Sequence, residues 1–364
     1  MQRERPAAGL LDLARGGPGA RPIPLAAPTT RAVFFSSVNA GSIIGVLLSA
    51  ISAYDSATID GREDEPAMLP THGRYEYSSI TTRADYAWPG GRRLAVYLAL
   101  NIEAFGFGVG KGAAIAPPDQ AQSHSVYSWR DYGNRVGIWR LFELLDELGM
   151  PAEAQMNTAV YEAAPDIPAR LRARGDEILG HGVTNSEEQG HLGEDKERAL
   201  IADVTATIAR HEGAPPVGWM SPWLSNSSVT LDLLQEAGYR YVMDWTMDDQ
   251  PIWMRTRRGR ILAVPYPIEV NDTRGIIWYH YTSEEFADMI VDQFDEMLAQ
   301  SARQPLVCPI SLHPFVFGRP YRLRRLRRAL QHVLAHRERV WVTRPREICA
   351  HIESLPAGVV PGSR

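Results

Sequence analysis

The chain has 364 residues, 45% of them hydrophobic and 22% charged, with a net charge of −5. Those proportions belong to a soluble globular protein with ample core; they exclude a fibrous or wholly disordered chain, and the acidic balance excludes nucleic acid as an expected partner. Its two cysteines, Cys308 and Cys349, stand outside any C-x-x-C pairing, which excludes a disulfide framework or a thiolate zinc site.

Residues 1–72 read as an extension, 73–356 as one folded domain and 357–364 as a tail. The extension runs from an Arg-, Pro- and Gly-rich stretch into the uncharged segment Ala32–Tyr54. That segment is long enough to cross a bilayer, although serines, an asparagine and glycines dilute it. Three readings stay open: an anchor or export signal, a poorly ordered extension, or upstream sequence before a true start at Met68. The last two imply a cytoplasmic protein.

From Arg92 onward, short apolar runs alternate with amphipathic stretches, the pattern of repeated βα units. Strands are expected at Leu94–Ile102, Ala152–Asn157, Glu177–Gly180, Val217–Ser221, Tyr239–Asp244, Ile261–Pro265, Leu306–His313 and Val340–Thr343. Helices are expected at Gly133–Leu148, Ile167–Arg174, Asp195–Arg210, Thr230–Ala237, Glu285–Ser301 with Ser283 as its cap, Arg319–His336 and Arg344–Glu353. Gly149, Gly175 and Gly238 follow three of them, where a left-handed cap favours glycine. Seven or eight units suit an α/β fold of the irregular TIM-like barrel type. A doubly wound sheet is the alternative, but it would call for a phosphate-binding glycine loop. Neither G-x-G-x-x-G after the first strand nor G-x-x-x-x-G-K-[ST] occurs, and Gly106–Gly110 reads as a plain loop.

In a parallel barrel the strand ends open on one face, where catalytic groups collect. The expected strands end in Asn101 and Glu103, in Asn157, in His181 and Asn185, in Trp219 to Pro222, and in Asp244 and Trp245 with Asp248 and Asp249 behind. The later ones end in Tyr266 with Glu269, Asn271 and Asp272, and in His313. His181 sits in a Gly-His-Gly turn, and His313 follows a fully apolar run. Each therefore either faces the rim or is a buried imidazole satisfied by the backbone. Basic residues of the stretch Arg319–Arg339 suit a solvated outer helix or a subunit contact, and a homo-oligomer is expected.

The N-x-E of strand one, His181-Gly-x-x-Asn185, the G-W-x-S-P of Gly218–Pro222, Asp244–Trp245 and the S-L-H-P…G-R-P of Ser311–Pro320 stand in the order of the NodB-type polysaccharide deacetylase motifs. The chain resembles that family over about four-fifths of its length, and in its His313-Pro314…Gly318-Arg319-Pro320 element it resembles the branch with allantoinases and cyclic-imide hydrolases. The resemblance implies a NodB-type barrel and hydrolysis of a non-peptide C–N bond in an amide, ureide or cyclic imide.

Sugar deacetylases of the family hold a divalent metal through aspartate and an H-x-x-x-H turn. Here Asn185 stands in place of the second histidine and Met220 in place of an arginine beside the catalytic carboxylate. The implied cofactor is therefore none, or one weakly held zinc, cobalt or manganese on Glu103, His181 and Asn185.

Within that resemblance Glu103 or a Glu103–His181 pair activates water, and His313 serves the leaving nitrogen or the oxyanion. Substrate-holding roles fall to Asn101, Asn185, Trp219, Pro222, Asp244, Trp245, Tyr266, Glu269 and Asn271, around a small-molecule or sugar amide. A metal-dependent N-acetyl-sugar deacetylase, a glycoside hydrolase built on Glu103 with Asp244 or Glu269, and a barrel that binds a sugar or ureide without turnover are the competing readings.

Overall fold

The computed structural model describes residues 71–110 and 123–364. The segment at 32–54 and the alternative start at Met68 lie outside those residues. Among the described residues no helix is long and apolar enough to cross a membrane.

Strand β1, Leu94–Ile102, is the centre of the molecule because its sequence LAVYLALNI can be buried on both faces, and all nine residues are. It pairs in parallel with β2, Glu153–Met156, on one side and with β8, Leu306–Leu312, on the other. Beyond β2 the sheet continues through β3, Glu177–Gly180, β4, Gly218–Trp219, and β5, Tyr241–Val242, to β7, Gly259–Ala263. A ninth strand, β9, Val340–Val342, pairs with the start of β1.

No ladder joins β7 to β8; a single bridge between Asn271 and Ser311 spans the gap. The expected irregular barrel is therefore present, but with a seam. Its outer edge differs from expectation: β6, Ile252–Thr256, precedes β7 and pairs with it antiparallel. Arg257 and Arg258 form the two-residue turn, which the sequence does not signal with glycine or asparagine.

The helix expected at Gly133–Leu148 starts earlier, as α1, His124–Tyr132, capped by Ser123, whose Oγ accepts from the Val126 N–H at 3.2 Å. It passes through a π turn at Gly133–Gly137 into α2, Ile138–Leu148. The glycines explain the turn. A Cβ on Gly137 would lie 2.1 Å from the Pro314 carbonyl oxygen, and one on Gly318 would lie 2.2 Å from the Gly137 Cα. The chain after His313 thus rests directly on backbone. Gly137→Ala is expected to cost at least about 2 kcal/mol, since neither backbone can yield, and a urea titration will read it.

Helices α3, Val160–Ala163, α4, Asp166–Arg174, α5, Glu194–Glu212, and α6, Thr230–Glu236, follow β2 to β4. Helix α7, Ser283–Gln300, is capped by Thr282 rather than Ser283. Thr282 is extended and shares a reciprocal capping box with Glu285, whereas Ser283 is already helical. Short α8, Pro314–Phe317, leads to α9, Pro320–Ala335, whose arginines pair with acids of neighbouring helices, Arg325 with Glu284 and Arg327 with Glu147. Helix α10, Pro345–Ser354, closes the set.

The segment read as a tail is packed. Val360 is buried, and the Trp253 N–H of β6 donates to the Pro361 carbonyl at 3.0 Å.

Candidate active site

At the C-terminal ends of the strands lies an open cavity that, together with its solvent-filled mouth, spans about 700 Å³. Glu103, one residue beyond β1, His181, one beyond β3, and His313, one beyond β8, all line it. These are the groups the strand-end pattern singled out, and the parallel sheet brings them to one rim.

His313 is held from behind. Asp272, fully buried, accepts from the His313 backbone N–H at 2.8 Å and lies 2.7 Å from its Nδ1. On the cavity side His313 Nε2 is 3.5 Å from Glu103 Oε1. Burial opposes a charge on His313, but the two carboxylates outweigh it and lift the imidazole to about 9. Burial likewise favours a neutral Glu103, yet His313 and Arg130 hold its carboxyl below the usual range. Glu103 is therefore ionised and His313 is an imidazolium at neutral pH.

Arg130, from α1, lies 3.6 Å from Glu103 Oε2 and only 3.9 Å from the centre of the Phe105 ring. The expectation that Glu103 lacks an arginine partner because Met220 stands in the usual position is overturned. The charge arrives from another element, and nothing in the spacing of Arg130 reveals it. Asp272 likewise shows in the sequence only as one polar strand-end residue among several; its partner is 41 residues away.

His181 has the opposite character. Its Nδ1 is 2.8 Å from the Met220 carbonyl, which only accepts, so Nδ1 carries the proton. Nε2 is left with a lone pair, buried and without a hydrogen-bond partner among the described residues. Burial lowers the imidazole's pKa and keeps it neutral. Gly182, at φ +66°, makes the turn that presents it.

The Asn185 amide donates its N–H to Glu103 Oε1, and its oxygen faces Asn157 Nδ2 at 3.2 Å. Asn101, Tyr266 and Asn271 line the cavity but are joined through Ser311: Asn101 Nδ2 donates to Ser311 Oγ at 2.9 Å, and Tyr266 Oη lies 2.7 Å from the same oxygen. Their polar groups thus largely brace the barrel seam.

Five residues expected to hold substrate do not line this cavity. Trp219 is fully buried on the other side of β4, edge-on to Tyr239, because alternate residues of a strand face opposite ways. Pro222 packs where a Cβ on Gly182 would be. Trp245 packs against Tyr75 and His72, and Glu269 borders a separate depression with Asp248 and Asp249. Asp244 accepts from Ser221 N–H at 2.6 Å and from Ser221 Oγ at 2.7 Å, with burial lifting its carboxyl to about 6. It thereby fixes the turn whose Met220 carbonyl orients His181. The carboxylate pairing that a glycoside hydrolase would need, Glu103 with Asp244 or Glu269, is not assembled in this cavity.

Residues 119–242 match the family model described as polysaccharide deacetylase. A Schizosaccharomyces pombe protein assigned to the polysaccharide deacetylases is 24% identical over 290 residues, 72% of this chain and 90% of that one. The structure of PuuE allantoinase superposes with a TM-score of 0.67 at 26% identity, over 80% of this chain and 98% of the other. A Pseudomonas aeruginosa structure assigned to the polysaccharide deacetylases does so with a TM-score of 0.65 at 28% identity, over 72% of this chain and 92% of the other.

Residues 119–242 thus carry the match to the polysaccharide deacetylase model, and most of the chain is similar to proteins assigned to that family. It is a hydrolase of carbon–nitrogen bonds other than peptide bonds.

The divalent ion held by sugar deacetylases of that family would find a poor donor set in this chain. Glu103 and the His181 Nε2 lone pair qualify as ligands, but Asn185 turns an amide N–H toward Glu103 instead of an oxygen or imidazole. Arg130 and the His313 imidazolium already neutralise the carboxylate. Among the described residues the one convergence of three His, Cys, Asp or Glu ligands is Asp295, His332 and His336, on α7 and the end of α9, away from the cavity. Two ligands suffice for at most a weakly held cation.

Proposed function

We propose that this protein hydrolyses a ureide, cyclic imide or related small amide without a resident metal, using Glu103, His181 and His313. The observation that carries the reading is the contact series Asp272–His313–Glu103, with Asn185 donating to the same carboxylate. It supplies an anion and a cation side by side in one cavity, where a metal-dependent site would need a third ligand.

Glu103 and the His181 lone pair accept from a water and draw off its proton as its oxygen adds to the substrate carbonyl carbon. The Asn185 and Arg130 contacts hold Glu103 in place. His313 gives its Nε2 proton to the departing nitrogen, and the C–N bond breaks. The water's proton, taken up by Glu103, then restores His313 across the 3.5 Å between them, so each turnover consumes one water and leaves the site as it began.

Buried Asp272 keeps the imidazolium charged and correctly turned, the service an aspartate performs for histidine in hydrolytic triads. The rings of Trp129, Trp223 and Trp278 at the cavity wall suit a flat, polar ring.

Dialysis against a chelator is expected to leave turnover of cyclic ureides and imides within about twofold, and added zinc, cobalt or manganese to raise it by no more. Loss on chelation with recovery on metal addition would instead establish the second reading, an N-acetyl-sugar deacetylase with a weakly held ion on Glu103 and His181. Ligand-induced stabilisation with no product from any ureide, imide or N-acetyl sugar would establish a binding protein.

A further inference from the structure

We propose that Arg274 is an anion-reading subsite, and that the substrate carries a carboxylate away from its scissile bond. The inference rests on the C–N hydrolase reading above and narrows its substrate class.

Its basis is a charge count at the cavity. Glu103 meets Arg130 at 3.6 Å and His313 at 3.5 Å, and His313 meets Asp272 at 2.7 Å. Two carboxylates and two cations are thus matched by direct contact. Arg274 lines the same cavity, and its guanidinium forms no ion pair with a described residue. Among the described residues it is the surplus positive charge of the site.

A surplus arginine on an open surface would be satisfied by water and carry no message. Arg274 is half-buried, beside a wall made by Trp278, whose ring centre is 5.6 Å from the guanidinium carbon. A guanidinium partly withdrawn from water gains more from an anion than one fully hydrated, and its planar fork matches a carboxylate by two parallel hydrogen bonds.

The backbone holds it at a fixed place relative to the chemistry. Arg274 lies two residues after Asp272, in the π turn Thr273–Trp278, and its N–H donates to Asn271 Oδ1 at 3.4 Å. Asn271 is in turn bridged to β8, the strand that delivers His313. The group that orients the proton donor and the group that reads the anion therefore belong to one short braced segment. A ligand with a carbonyl at His313 and a carboxylate on a short arm engages both ends of it.

Calorimetric binding of two probes tests the idea without depending on turnover: hydantoin, and hydantoin-5-acetic acid, which adds only the carboxylate arm. The wild-type protein is expected to bind the acid at least about tenfold more tightly at low salt, with the margin shrinking as salt rises. Arg274→Ala should bring the two affinities within about twofold of each other. Arg274→Lys should keep part of the margin, since it retains charge without the fork.

Equal affinities in the wild type, no measurable binding of the acid, or a margin that survives Arg274→Ala would each overturn the proposal. Failure of both probes to yield ring-opened product would count against the hydrolytic reading and leave the affinity margin to judge Arg274 separately.

Discussion

Glu103→Gln should lower kcat/KM by at least about a hundredfold. The substitution keeps the shape of the side chain and an oxygen for Asn185, but it removes the acceptor for the water's proton and the partner of His313. Because Glu103 is held below the usual carboxylate range, it is a weak base alone, and the proposed sharing with the His181 lone pair is what makes it sufficient. His181→Gln, which deletes that lone pair, should therefore be comparably harmful. Activity retained in the first variant would remove Glu103 from the mechanism; activity retained in the second would leave it acting alone.

Asp272→Asn is the second substitution with a large expected effect, and its signature is in the pH profile. In the wild type the alkaline limb should fall near pH 9, where the raised His313 loses its proton. Without the Asp272 carboxylate, burial pulls the imidazole back toward or below its ordinary value, so the limb should move down by about two units. At pH 8 turnover should drop by about a hundredfold, from the lost proton and the lost orientation together.

Stability should respond in the matching sense. A group whose pKa is raised by folding stabilises the folded state fully below its unfolded value, about 6.5, and that contribution disappears as pH rises through the folded value, about 9. The wild type should therefore lose roughly 3 kcal/mol of this contribution over that window, and the variant should lose little. An alkaline limb unmoved by Asp272→Asn would show that His313 is not the titrating acid.

The sequence was informative where local pattern and final environment coincide. Strand β1 spans Leu94–Ile102, as its run of apolar residues up to Asn101 suggests, and the groups just past β1, β3 and β8 meet because parallel strands end together. It was less informative where tertiary contacts choose. Trp219 and Met220 are neighbours, yet strand alternation sends the tryptophan into the core and leaves the methionine at the cavity. Asp244, read as a substrate contact, is occupied by Ser221.

The start of α1 was hidden because a π turn at Gly133–Gly137 interrupts the 3.6-residue rhythm that would have joined His124–Tyr132 to Ile138–Leu148. Arg130, which sits on that unread turn of helix, was lost with it. The β6–β7 hairpin escaped notice because its connection is Arg257-Arg258 rather than a glycine turn.

That hairpin also has a topological meaning. The outward side of β6 donates from the Arg255 N–H to the Arg74 carbonyl and from the Trp253 N–H to the Pro361 carbonyl. Two peptide segments nearly three hundred positions apart along the chain thus dock two residues from each other on one strand, a separation of about 7 Å. A domain whose entrance and exit adjoin in this way can be spliced into a loop of a host protein, or rejoined end to end and reopened elsewhere, without unthreading its barrel.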